Sequence, residues 1–173
     1  NPLNDHNMSR CILPTGDYLQ VFYYKNDTVS HHTNCKGETF RFQYSFLNHY
    51  SETWNENGYY RKVFYNAKWD VTRVETEDKT VETSEYDSNH NLVKRSDGNG
   101  NVSLFKYDSK RNLVSKQDPN GGTWFYDYDP NYNKPTWVVD PTGVETTYQY
   151  DPNNHGNLIK ETSANRRVLA QRD

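Results

Sequence analysis

The stretch from Tyr86 to Gly121 is nearly two copies of one segment, and that repetition constrains the fold more than any other feature of the chain. Tyr86-Asp87 returns as Tyr107-Asp108, Asn91-Leu92-Val93 as Asn112-Leu113-Val114, Asp97 as Asp118 and Gly100 as Gly121, every pair 21 residues apart. A fixed period of that size marks a stacked repeat architecture. Carried outwards, the same step meets Tyr65, Tyr44 and Tyr23 on one side and Tyr128 on the other, and a step of 22 reaches Tyr150. Gly16, Gly37, Gly58, Gly100 and Gly121 keep the same beat, Gly143 follows after 22, and Lys79 alone interrupts it. Residues 1–173 are read as one repeat array: degenerate repeats over 16–85, well-matched ones over 86–160, and a tail or the start of a further repeat over 161–173.

Each repeat reads as strand, tight turn, strand, tight turn. In Asp118-Pro119-Asn120-Gly121 the Asp accepts local hydrogen bonds, Pro presets φ, and Gly takes the left-handed conformation that leads a type I turn into a bulged hairpin. Gly122 carries no such demand. Asp140-Pro141-Thr142-Gly143 repeats the pattern, and Asp97, Asn34 and Asn55 open turns that close on Gly100, Gly37 and Gly58. After each Gly comes a proline-free run rich in aromatic and β-branched residues that ends on the phased Tyr. Counting back from that Tyr in steps of two collects Val21 and Leu19, Phe42 and Phe40, Val63, Phe105, then Tyr126 and Trp124; the other parity holds Gln20, Arg41, Lys62, Lys106 and Asp127. The second turn follows Tyr-Asp, and a second strand leaves through Leu92-Val93, Leu113-Val114 and Leu158-Ile159.

The expected fold is therefore all-β: an antiparallel meander of two-stranded repeats, about fourteen to sixteen strands, forming a curled sheet because sheets that wide do not stay flat. The only helix-tolerant stretch is the tail from Glu161 to Asp173. With 32% hydrophobic residues the chain is poorly provided for a thick core, while 15 Tyr, 7 Phe and 4 Trp supply large side chains with polar tips that suit thin sheets.

The same composition removes several function classes. A net charge of -3 gives no electrostatic footprint for nucleic acid. No apolar run approaches a membrane helix, so no membrane insertion is expected, and the start NPLNDHNMSR reads as part of something longer. Cys11 and Cys35, 24 residues apart and out of phase with the repeat, are expected unpaired. His31-His32 is read as a strand-face or loop pair, since no second cluster accompanies it. Asp97-x-Asn99-x-Asn101 with Asp108 resembles part of a calcium loop, but Val102 stands where Gly is needed and a repeat turn accounts for the same residues. No nucleophile, base and orienter converge, so no catalytic residue, metal site or cofactor is assigned. Among the tryptophans, Trp54 beside Asn55 and Asn57 is the candidate for stacking on a sugar ring.

Tyr86-Asp87, Tyr107-Asp108, Tyr128-Asp129 and Tyr150-Asp151, with the Asp-Pro-x-Gly turns between them, resemble the Rhs or YD-repeat family. In residues 16–85 the resemblance survives as phase, since Tyr23, Tyr44 and Tyr65 lack the following Asp. In the first turn the family's Gly is replaced by His90, Arg111 or Tyr132, so Asn89, Asn91, Asn131 or Asn133 is expected to supply the turn geometry. The extra residues around Asn154-His155-Gly156-Asn157 imply a bulge or longer loop. The resemblance implies a segment of a hollow β-shell in a large secreted or bacterial cell-surface protein, a non-catalytic wall around a toxin or effector domain. The implied partners are flanking repeats and that enclosed domain. Self-association through open edges, and a surface module for carbohydrate or a partner protein, are the alternatives kept beside it.

Overall fold

The structure, a computed structural model, describes residues 7–153 and 156–165. Among them there is no helix; there are fifteen strands, and hydrogen-bonded neighbours in the sheet are always neighbours in the chain. The chain divides into two compact units, Asn1–Thr83 and Ser84–Asp173.

In the first unit the strands are β1 (Arg10–Ile12), β2 (Tyr18–Tyr23), β3 (Val29–Asn34), β4 (Thr39–Ser45), β5 (Tyr50–Asn55), β6 (Tyr60–Tyr65), β7 (Val71–Thr76) and the start of β8 (Val81–Tyr86). In the second, the rest of β8 precedes β9 (Leu92–Ser96), β10 (Val102–Tyr107), β11 (Leu113–Gln117), β12 (Thr123–Tyr128), β13 (Pro135–Val139), β14 (Val144–Tyr150) and β15 (Leu158–Asn165). Every strand pairing resolved within a unit is antiparallel. β15 runs through Glu161 to Asn165, so this part of the expected tail is strand; residues 166–173 lie outside the described residues.

The register explains why a tyrosine is phased. The pairing slips by one residue immediately before Tyr23, Tyr65, Tyr107, Tyr128 and Tyr150. Such a bulge leaves one residue unpaired, bends the strand and re-aims the side chain that follows. Tyr44 has no bulge, because β4 and β5 pair through to Ser45 and Tyr50 around a shorter, four-residue turn.

Alternation along each strand separates two faces. In β10, Ser103, Phe105 and Tyr107 are half-buried while Val102, Leu104 and Lys106 are exposed; in β12, Trp124, Tyr126 and Tyr128 are half-buried while Phe125 and Asp127 are exposed. Even the Tyr-bearing face is not sealed. Val21, 8% exposed, is the most buried apolar side chain described, and the residues comparably buried are Gly156 and three turn asparagines: Asn91 at 7%, Asn112 at 8% and Asn55 at 9%.

The turns form two ladders of positive φ. At one end of the strands the left-handed residue is Gly16, Gly37, Gly58, Lys79, Gly100, Gly121 or Gly143, so Lys79 keeps the conformation that its side chain hides in the sequence. At the other end it is Asp27, His49, Trp69, His90, Arg111, Asn133 or Gly156. His90 and Arg111 thus adopt the left-handed geometry themselves, in place of the neighbouring asparagines expected to do so; only Asn133 matches that expectation. The hairpin closes around them because Asp87 and Asp108 anchor the whole five-residue loop, and that loop fixes φ at its fourth residue whatever side chain stands there.

Gly121 and Gly122 differ in an unexpected way. Gly121 has φ +87 with open space around a would-be Cβ. Gly122 has ordinary φ, but a Cβ there would come 2.9 Å from Asp118 Oδ2 and 3.1 Å from Pro141 Cβ. Gly121→Ala is expected to cost on the order of 1–3 kcal/mol through backbone strain. Gly122→Ala is also expected to destabilise, by displacing the Asp118 carboxylate. Urea unfolding in an Asp118→Ala background separates them: the Gly122 penalty shrinks there and the Gly121 penalty persists.

Candidate functional site

The groups that stand out chemically in the sequence are the aspartates and asparagines of the turns, and the structure shows what they do. Asp97 Oδ1 accepts from the backbone N–H of Asn99 and of Asn101, both at 2.9 Å, while its Oδ2 accepts from Asn101 Nδ2 at 2.9 Å. The Gly100 N–H donates to the Asp97 carbonyl at 3.0 Å, and the Asp97 N–H to the Asn101 carbonyl at 3.0 Å. One carboxylate thus fills the turn and satisfies donors that the strands leave unpaired. These contacts consume the residues that resemble a calcium loop.

The Asp of each Tyr-Asp pair does the same work at the opposite end of the strands. Asp87 holds Asn89, Asn91 and the Asn91 amide; Asp108 holds Lys110, Asn112 and the Asn112 amide. Asp129 takes the N–H groups of Asn131 and Tyr132, and Asp151 that of Asn153. In the first unit Asn34, Asn55 and Asn66 serve through their Oδ1 atoms. Where Thr76 replaces the first residue, Asp78 accepts from Thr76 Oγ1 at 2.7 Å and from the Thr80 N–H at 2.9 Å.

Successive turns are tied sideways. Arg111 Nε donates to Asn91 Oδ1 at 3.1 Å, Asn112 Nδ2 to Asn133 Oδ1 at 2.7 Å, and Lys110 Nζ to the Pro130 carbonyl at 2.8 Å. In the last repeat Tyr132 lies on Gly156, where a Cβ would come 2.6 Å from its ring, and Lys134 Nζ donates to the Gly156 carbonyl. That stacking requires glycine at 156. The longer loop there closes between Asp151 and Asn157; Asn154 and His155 lie outside the described residues.

The phased tyrosines complete the repeat. Tyr23, Tyr128 and Tyr150 hydroxyls donate to the carbonyls of Met8, Leu113 and Pro135, each 15 residues earlier. Leu113 and Pro135 are the first residues of the preceding strands, and Met8 lies two residues before β1. Burial raises the pKa of Tyr107, Tyr128 and Tyr150, and Tyr128 and Tyr150 use the retained proton as donors.

The residues considered for binding or catalysis do not converge. His31 and His32, adjacent on β3, face opposite sides: His31 stacks on Phe22 at 4.3 Å, and His32 sits between Phe40 and Phe42. Burial, then the neighbouring His31, lowers the His32 pKa. Cys11 and Cys35 are free thiols, and Cys35 Sγ donates to Asp17 Oδ1 at 3.1 Å. Among the described residues no three His, Cys, Asp or Glu side chains are grouped to hold a metal ion. Trp54 is half-buried in the cross-strand row Phe22, His31, Arg41, Trp54, Tyr60. Trp69 is the open one: 64% exposed, with left-handed backbone, its ring 4.8 Å from Tyr65. Nothing in the sequence around Trp69 reports this except its phase with His90 and Arg111.

A meander of two-stranded repeats, closed at both strand ends by side-chain plugs, is a repeat array. Residues 86–123 and 133–168 match the RHS Repeat family model, and the chain carries RHS repeats over those segments. No curated protein matches the sequence at a significant level. Among solved structures, the Tc holotoxin pore of Photorhabdus luminescens superposes with a TM-score of 0.73 at 15% identity, over 87% of this chain and 9% of that one. A TcdB2-TccC3 structure gives 0.71 at 16% identity, over 86% of this chain and 9% of that one. The likeness is one of fold, and the chain spans about a tenth of the length of those it matches.

The plugs titrate. Hydrogen bonds hold Asp87, Asp97, Asp108 and Asp140 below the ordinary carboxylate value, and those from Thr76 and Thr80 bring Asp78 to about 2. A carboxyl whose folded pKa lies below its unfolded one contributes stability above the unfolded value, and loses it as pH falls through the folded one. Urea midpoints are therefore expected to hold above the unfolded aspartate value of 3.8 and to fall as pH drops towards about 2. Asp108→Asn, which keeps an oxygen acceptor for the backbone, should flatten part of that fall. A second expectation concerns the hydroxyl: Tyr128→Phe should cost on the order of 0.5–1.5 kcal/mol by leaving the Leu113 carbonyl without its donor, measured by the same unfolding.

Proposed function

We propose that this chain is a non-catalytic wall segment of a larger secreted or cell-surface RHS-repeat protein whose shell encloses a toxin or effector domain. The observation that carries the reading is the use made of the polar residues. The repeat aspartates, the turn asparagines and the phased tyrosine hydroxyls are largely engaged in closing turns and tying one repeat to the next. A half-buried aromatic face remains that the described residues leave uncovered, as expected of one side of a wall. The matching solved chains are many times longer, which leaves room in such a protein for the flanking repeats and for the enclosed domain.

Protease treatment of the intact parent protein tests this. The enclosed domain is expected to survive while the repeats stay folded, and to be cut once acid or denaturant opens them. Cleavage of that domain inside an intact shell would overturn encapsulation. Selective binding of one glycan by this chain, lost in Trp54→Ala, would promote the surface-module reading instead.

A further inference from the structure

Three Asn-Gly pairs stand in the turns of the Gly ladder: Asn57-Gly58, Asn99-Gly100 and Asn120-Gly121. In such a pair the glycine nitrogen can attack the side-chain amide before it, because glycine sets no Cβ in the way. The three share their local geometry. All six residues are exposed, the glycines have φ +90, +83 and +87, and each Asn N–H donates to the side chain that opens its turn, at 3.0, 2.9 and 3.1 Å. They differ at the attacking nitrogen. The Gly100 and Gly121 N–H groups donate to the carbonyls of Asp97 and Asp118, each at 3.0 Å; among the described residues the Gly58 N–H has no such acceptor. They differ also in charge, since a carboxylate opens the turns of Asn99 and Asn120 while the neutral Asn55 opens that of Asn57. The nitrogen must lose its proton to attack, and a hydrogen bond on that N–H and a carboxylate beside it both oppose the loss.

We propose that Asn57 is a site of self-modification, deamidating in the folded chain ahead of Asn99 and Asn120 at a rate that Glu38 restrains. The reaction needs only water. The Gly58 nitrogen gives up its proton and bonds to Asn57 Cγ, the Cγ–Nδ2 bond breaks, and the departing amide nitrogen takes up a proton and leaves as ammonia. The five-membered succinimide that remains is opened by water at either carbonyl, giving aspartate or isoaspartate at position 57. Glu38 holds the leaving group: Asn57 Nδ2 donates to its Oε1 at 3.1 Å, beside Asn55 Nδ2 at 2.9 Å, and Asn34 Nδ2 reaches its Oε2 at 3.2 Å. Ring closure has to release the first of these bonds, so the carboxylate slows the step that the free Gly58 N–H permits. The product falls on the same tie between turns. A donor to Glu38 becomes a carboxylate set against it, and isoaspartate also lengthens the backbone of the turn by one methylene. Deamidation therefore acts as a clock on the cohesion of the first unit, whether or not the parent encloses an effector.

Peptide mass spectrometry of the folded chain held in mildly alkaline buffer tests this, each rate being read against the rate of the same site in a urea-unfolded sample. Folding should slow Asn57 less than it slows Asn99 and Asn120, by about two- to tenfold, the worth of one hydrogen bond expressed as a rate. Glu38→Ala, with circular dichroism confirming its fold, should hasten the reaction at Asn57 and leave Asn99 and Asn120 unchanged. Aged protein should unfold at a lower urea concentration than fresh protein, and Asn57→Gln should keep its midpoint over the same period. Protection of Asn57 by folding as strong as that of the other two sites would overturn the proposal. So would acceleration of all three sites alike by Glu38→Ala, or ageing of the Asn57→Gln chain at the pace of the unaltered one.

Discussion

The structure depends on one short-range interaction, repeated down the chain: a side-chain oxygen at the first position of a turn accepting two backbone N–H groups two and four residues on. An antiparallel meander of short strands spends much of its chain in turns, and each turn exposes donors that the sheet cannot pair. Here the donors are satisfied from within the turn by Asp87, Asp97, Asp108, Asp118 and Asp140, or by Asn34, Asn55 and Asn66. The hairpin geometry is thus specified locally, before any strand finds a neighbour. That matters in a fold whose apolar residues are at most half-buried with the exception of Val21.

The plug also explains why the best-buried polar residues are asparagines. Asn91 and Asn112 close the turns opened by Asp87 and Asp108, giving their amide N–H to the carboxylate. Their backbone carbonyls accept from the same aspartates' N–H, and Asn91 Oδ1 and Asn112 Nδ2 reach the next turn along. A side chain bonded on every side loses little by burial. In the first unit Glu38 gathers the amides of Asn34, Asn55 and Asn57 to the same end. Each repeat is therefore joined to its neighbour along the strands and again through the turns, and its cohesion is a nearest-neighbour property of a solenoid-like array.

Much of this was legible in the sequence, because period and phase are properties of position. The strands, their antiparallel order, the Tyr-bearing parity and the Gly turn ladder follow from counting. What stayed hidden was conformation imposed by context. Lys79, His90, Arg111 and Trp69 take left-handed backbone because the surrounding loop closes on fixed anchors, and no propensity of Lys, Arg or Trp announces it. Gly122 makes no demand through its own φ, which is ordinary; its constraint comes from the Asp118 carboxylate of its own turn and from Pro141 in the next turn of the same kind. Residues 161–165 lack the apolar alternation of the better strands, yet pair fully with β14. Trp54 and Trp69 differ in exposure for a related reason: a strand position half-buries the first, and an anchored turn holds the second open.

The two units show which part of the repeat is chemistry and which is habit. In the second unit the motif is Tyr-Asp; in the first, the residue after Tyr is Tyr24, Ser45 or Asn66. Asn66 reproduces the Asp contacts with the N–H groups of Lys68 and Asp70, and its amide gives Asp70 a hydrogen bond in turn. Ser45 is too short for the same reach, and its hydroxyl accepts from Asn48 instead, in a phased hairpin that lacks a bulge. Tyr24 offers no acceptor to its own turn; there Asn26 accepts from Thr28. The requirement is thus an oxygen placed to meet the turn's N–H groups, and the spelling of the motif may drift wherever another residue supplies it. Drift has a limit at the tyrosine, which holds its residue through both units where the acceptor does not: at Tyr23, Tyr128 and Tyr150 the hydroxyl reaches back 15 residues while the bulge lies against the following strand.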